Sequence, residues 1–145
     1  MKYEFSGDTL THKGRTLRRI RATKDFANAS KGDLGGWIES EKNLSHQGDC
    51  WVFGEGKVYG QAFVDDDALV GDWAEVSESA AVYNKAEVQS RARVSGEAQI
   101  KDSAYVGGNV TVTDQAVVRG KVVLSGDFEI AGDEIVGRPE WLTSP

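Results

Sequence analysis

From Val52 onward the chain places an aliphatic residue at every sixth position. The series runs Val52, Val58, Val64, Val70, Val76, Val82, Val88, Val94, Ile100, Val106, Val112, Val118, Leu124, Ile130 and Val136, fifteen positions without a gap. Two residues before each stands a second, smaller series: Cys50, Gly56, then Ala62, Ala68, Ala74, Ala80, Ala86, Ala92, Ala98 and Ala104. It continues as Val110, Ala116, Val122 and Phe128, and fails only at Glu134. Two residues after each aliphatic, as far as Gly132, comes Gly, Asp, Asn, Ser or Glu. The unit is small–x–aliphatic–x–Gly/Asp–x.

Small–x–aliphatic puts two side chains on one face of a short strand, because side chains alternate along a strand. The Gly/Asp/Asn position suits a corner whose backbone needs φ > 0. A period of six fits neither the 3.6 of an α-helix nor hairpins with their variable turns. Three strands and three corners close a triangular coil, and successive coils pair through parallel ladders about 4.8 Å apart. The expected fold is all-β: a single-stranded parallel β-helix of about five coils. The expected organisation is an N-terminal basic β cap over 1–36, the β-helix over 37–137 and a C-terminal tail over 138–145.

Stacking the middle residues of the triplets by coil gives three outward faces. One reads Trp51, Leu69, Glu87, Tyr105, Val123; another Phe63, Ala81, Gln99, Val117, Ile135; the remaining one Lys57, Glu75, Arg93, Thr111, Glu129. The last is a charge ladder of the kind a solvated face carries. The first two are largely apolar, which predicts that something covers them: the chain's own ends or another subunit. Trp51, Leu69, Tyr105, Val123, Phe63, Val117 and Ile135 are the expected oligomer contacts, in a homodimer or homotrimer.

Lys2–Phe5 and Thr16–Ala22 alternate as two strands joined by a turn at Lys13-Gly14, and residues 25–36 read as a loop into the first coil. Six cations crowd this segment: Lys13, Arg15, Arg18, Arg19, Arg21 and Lys24. Arg15, Arg18, Arg19 and Arg21 are candidate ligands for an anionic small molecule or a partner protein. The alternative is that they pair with acidic coils. Residues 1–36 carry eight Lys/Arg and four Asp/Glu, and the other 109 carry nine and nineteen, so net charges of +4 and −10 make up the overall −6.

Val70-Gly71-Asp72-Trp73-Ala74-Glu75 and Val106-Gly107-Gly108-Asn109-Val110-Thr111 resemble the hexapeptide signature of left-handed β-helix proteins. Asp33-Leu34-Gly35-Gly36-Trp37-Ile38 followed by Asn43-Leu44-Ser45 resembles the entry segment of uncharacterised hexapeptide-repeat proteins of enterobacteria and their phages. The resemblance implies a left-handed coil. It also brings in an acyltransferase superfamily that is usually trimeric, uses a catalytic histidine and often projects a loop from the helix.

The chemistry such enzymes need is sparse here. Only His12 and His46 exist, both ahead of the regular coils, and no insertion breaks the register from Val52 to Val136. Cys50 falls at an inward small position, which reads as core rather than nucleophile. Asp65-Asp66-Asp67 reads as a solvated corner, and Gly35-Gly36 lacks the Gly-Lys-Ser/Thr of a phosphate loop. No metal or cofactor is expected, and no run reaches membrane-spanning length. With one cysteine and no apolar leader, the expectation is a cytoplasmic protein. The preferred reading is a non-enzymatic oligomeric binding or scaffold protein. One form is a phage protein that blocks a host factor or sequesters a small nucleotide in the bacterial cytoplasm. The alternatives are an acyltransferase using His12 or His46 at a subunit interface, and an acidic mimic of nucleic acid.

Overall fold

A computed structural model describes residues 1–139. The predicted register holds throughout. Fifteen two-residue strands follow at six-residue steps, from β4 (Trp51–Val52), β5 (Lys57–Val58) and β6 (Phe63–Val64) to β18 (Ile135–Val136). They stack by eighteen into three parallel walls. Lys57, Glu75, Arg93, Thr111 and Glu129 pair in one. Trp51, Leu69, Glu87, Tyr105 and Val123 form another. Phe63, Ala81, Gln99, Val117 and Ile135 form the last. The parallel β-helix therefore has the three faces read from the sequence. Among the described residues no helix is long and apolar enough to cross a membrane.

The interior is an alternation of methyls and isopropyls. Ala62, Ala68, Ala74, Ala80, Ala86, Ala92, Ala98 and Ala104 are fully buried, as are the valines from Val52 to Val94. Apart from Val110, only small side chains fill the fully buried positions beside each aliphatic, so exchanging the two series wholesale would overpack the interior. Every corner from Gly54 to Gly132 carries its third-position residue at positive φ, seven times glycine and seven times Asp, Glu, Asn or Ser. Where that residue is Asp or Asn, its side chain does a second job. Asp66 Oδ2 accepts from Asn84 N at 2.9 Å, Asn84 Oδ1 from Asp102 N at 3.1 Å, and Asp102 Oδ2 from Gly120 N at 2.8 Å. The corner thus ties itself to the corner one coil on, satisfying amides that the strand ladders leave over.

The N-terminal end departs from the expected loop. β1 (Tyr3–His12) runs seven residues past Phe5, and the turn Lys13 (φ 51), Gly14 (φ 77) leads into β2 (Arg15–Ala22). Both turn residues at positive φ make the tight type of hairpin connection. β3 (Leu34–Ile38) pairs antiparallel with β2 and parallel with β5. Leu34, Gly35 and Gly36 are therefore strand, not loop. A Cβ at Gly36 would stand 2.5 Å from Gly56 O and 2.7 Å from Val52 Cγ1, so the close approach of β3 to the coil below excludes any side chain. Leu44 bridges Val64, which makes an irregular turn ahead of the five regular coils, about six in all. From Leu44 to Val52 the chain takes eight steps rather than six, and the longer corner carries His46.

Leu17 and Ile20 resolve onto opposite faces of β2. Ile20, Ala22 and Tyr3 close the end of the prism within the main core, while Leu17 and Leu10 join Trp37 and Tyr59 on the outer wall. A register shift between Phe5 and Thr9 keeps the long first strand in step with both jobs. At the other end Val123 is 69% exposed, Ile135 57% and Phe128 43%.

Candidate functional site

The hairpin runs past the end of β3 and its tip lies against the outer wall. His12, last residue of β1, places Nε2 2.8 Å from Glu75 Oε1. Tyr59 Oη donates to the same oxygen at 2.9 Å, and Lys13 Nζ lies 3.5 Å away. The His12 ring meets Tyr59 edge-on, with centroids 5.5 Å apart. The Glu75 side chain is 17% exposed and that of His12 22%. Burial by itself would raise the Glu75 carboxyl; the hydrogen bonds from His12 and Tyr59, with the Lys13 charge, outweigh it and hold the group below its usual range. Burial, then the bond to Glu75 and its charge, pushes the Tyr59 phenol up. Glu75 is therefore an anion held by three donors, and His12 is oriented by it.

Beside this cluster Arg15 Nη1 bonds Glu39 Oε1 at 2.8 Å, and Gly60 N donates to that same oxygen at 2.9 Å. Arg15, Glu39, Gly60, Gln61, Glu78 and Ser79 line a shallow groove of about 380 Å³. Arg15 also stacks over Tyr59, 5.8 Å from the ring centre, so groove and cluster share a wall.

No protein-family model matches the chain. A stretch of 61 residues, 41% of the chain, is 33% identical to a protein of Escherichia coli (strain K12) named as an uncharacterized acetyltransferase. The match spans 19% of that protein's length. The six-residue unit and the parallel β-helix fit the superfamily that the repeat resembles.

The remaining sequence candidates fall in different places. His46 has both ring nitrogens engaged: Nδ1 accepts from Lys2 N at 3.2 Å and Nε2 lies 2.9 Å from Glu41 Oε1. Its ring stacks on Tyr3 at 4.0 Å, which makes it a brace for the cap. Arg19 bonds Gly35 O at 3.0 Å and Glu55 at 3.1 Å, and Arg21 bonds Glu4 at 2.6 Å. Arg18 lies over Phe5, 5.1 Å from its centre. Arg15, Arg19 and Arg21 thus each meet a carboxylate of their own chain.

Of the apolar rows, Trp51 is 2% exposed, covered by Phe26 and Tyr3. The N-terminal segment therefore takes Trp51 out of the surface that Leu69, Tyr105 and Val123 continue. Phe63 (41%) and Ile135 (57%) bracket the other row, with Val117 half-buried between them. Cys50 is fully buried at its inward position. Among the described residues no group of three or more His, Cys, Asp or Glu is placed to hold a metal ion.

Glu75 and Tyr59 are the site residues that sequence reasoning passed over. Glu75 reads as one rung of a solvated ladder, and Tyr59 belongs to none of the three outward rows. The missing signal is the length of β1: had Thr9–His12 been taken as strand, the tip would have been expected to reach the second coil.

Proposed function

We propose that this chain transfers an acyl group, with His12 as general base and Glu75 as the residue that positions it. The observation that carries the reading is the His12–Glu75 contact at 2.8 Å, itself fixed by Tyr59. With Nε2–H given to the carboxylate, the neutral ring keeps its lone pair on Nδ1. Nδ1 would take the proton of an acceptor hydroxyl or amine as that atom attacks the acyl carbonyl, and the imidazolium would return it to the departing thiolate. The same arithmetic disfavours His46, whose two nitrogens are already committed. The similarity to a named acetyltransferase adds support.

The test is release of free thiol from acyl-CoA donors in the presence of pooled amine and hydroxyl acceptors. His12→Ala should abolish turnover, and Glu75→Gln should lower it by about a hundredfold, the lower end of what a positioned base supplies. His46→Ala should leave it measurable. Absence of turnover in the unmodified chain, or full activity in His12→Ala, overturns the reading.

A second reading is a non-enzymatic oligomeric scaffold that binds a host protein or a small anion. The exposure of Phe63, Ile135 and Val123 supports it, since outward apolar rows are what self-association uses.

A further inference from the structure

At the closed end of the prism two reactive side chains are sealed in together. Lys2 is 1% exposed and Cys50 is fully buried. Lys2 Nζ donates to Cys50 O at 2.7 Å and to Gly48 O at 3.3 Å, and stands 3.4 Å from Cys50 Sγ. The Phe26 ring lies over the same nitrogen, 5.1 Å from its centre. Among the described residues no carboxylate comes within ion-pair distance of Lys2. A buried amine normally sits against a carboxylate, because its charge is costly to desolvate alone. Here its side-chain counterpart is a thiol, and backbone carbonyls hold it against that thiol.

The sulfur is confined as closely as the nitrogen. Ser45 O, Gln47 O and Val64 O stand 3.5, 3.6 and 3.7 Å from Sγ. The usual course of thiol oxidation adds oxygens one after another, through sulfenic to sulfinic and sulfonic acid. Three carbonyl oxygens this near the sulfur repel the second and third of these. The amine, 3.4 Å from the sulfur, is placed to trap the first.

We propose that Lys2 and Cys50 are the two ends of an oxidative cross-link, an N–O–S bridge formed with a peroxide as oxidant. The ammonium first releases a proton to solvent. The S–H bond and one N–H bond break, and S–O and O–N bonds form. Thiol and amine each lose two electrons, taken by two equivalents of hydrogen peroxide; one peroxide oxygen stays in the bridge and three waters leave. An intervening oxygen spans more of the present gap than a direct S–N bond would, so less backbone movement is required. The link joins residues 48 apart, fastening β1 across the end of the prism. Closing such a ring restricts the unfolded chain, as a disulfide does, and the cross-linked form resists denaturation more than the open one.

The experiment uses the full chain, reduced, freed of reductant and exposed to dilute hydrogen peroxide. Intact mass should rise by about 14 Da, one oxygen gained and two hydrogens lost, and fall back on adding dithiothreitol. Digestion at glutamate should give one joined peptide containing Lys2 and Cys50. Lys2→Arg and Cys50→Ser should each abolish the gain. Since either variant could unfold, the digest of the unmodified chain decides alone. Gains of about 16, 32 or 48 Da on a Cys50 peptide with the Lys2 peptide free overturn the proposal. So does a mass that peroxide leaves unchanged.

Discussion

Asn43 is where a single side chain has most to lose. It is fully buried in the irregular first turn, and all four of its hydrogen-bonding opportunities are used. Its Oδ1 accepts from Glu39 N at 3.0 Å and Ser40 N at 2.8 Å, while Nδ2 donates to Gly60 O at 3.1 Å and Ala62 O at 2.8 Å. The amide thus joins the first turn to the coil below it. Asn43→Ala strands two amides and two carbonyls; at about 1 kcal/mol net for each lost bond, the cost is about 4 kcal/mol. That is a large part of the stability of an ordinary domain. Asn43→Asp should be at least as damaging, because it sets a carboxylate oxygen against two carbonyls. Asn109→Ala, at an exposed corner position, should cost under about 0.5 kcal/mol. Urea unfolding followed by circular dichroism measures all three, compared through midpoints at constant slope. A cost below about 1 kcal/mol for Asn43→Ala would refute the reasoning, since it would mean water replaces the amide without penalty.

Acid should act on the hairpin tip through Glu75. Its carboxyl is held below the usual 4.5 in the folded chain, so folding favours the anion; that stability is fully present above about pH 4.5 and is lost as pH falls through the lower folded value. Glu75→Gln should therefore destabilise at pH 7, and by progressively less as pH falls below about 4.5, read from urea midpoints across that range; an effect independent of pH would show the tip is not held by charge. Self-association is expected through the exposed rows, with light scattering giving a mass above 15.7 kDa and Phe63→Asp with Ile135→Asp lowering it. A monomer at high concentration would leave the scaffold reading without its support.

The coils were legible because their interior tolerates so little. A prism this narrow admits an aliphatic and a small residue per strand, and that demand writes itself onto the sequence at a fixed step, from Val52 to Val136. The hairpin was only partly legible. Past Phe5 the first strand reads Ser6-Gly7-Asp8-Thr9, polar and with Gly7 at φ 106, so alternation alone ends it early. Leu17 and Ile20, three residues apart, do not share a face, because the strand serves two clusters, one on each side. The His12–Glu75–Tyr59 contact left no linear signal, since His12 and Glu75 lie 63 residues apart and meet only through the hairpin's reach. His46 as a brace was equally hidden, because Tyr3 and Glu41 approach it from two separate segments.

The corner ladder also bears on how the chain can change length. Asp66, Asn84, Asp102 and Gly120 form a hydrogen-bonded run in which each member needs a partner at a spacing of eighteen. Loss or gain of one residue within a coil puts the next strand out of register, turning its inward Ala and Val outward. Loss or gain of a whole coil does not: Asp66 would meet Asp102 as readily as it meets Asn84. Length in this architecture is quantised, and gene duplication or deletion in steps of fifty-four bases is the tolerated currency of change.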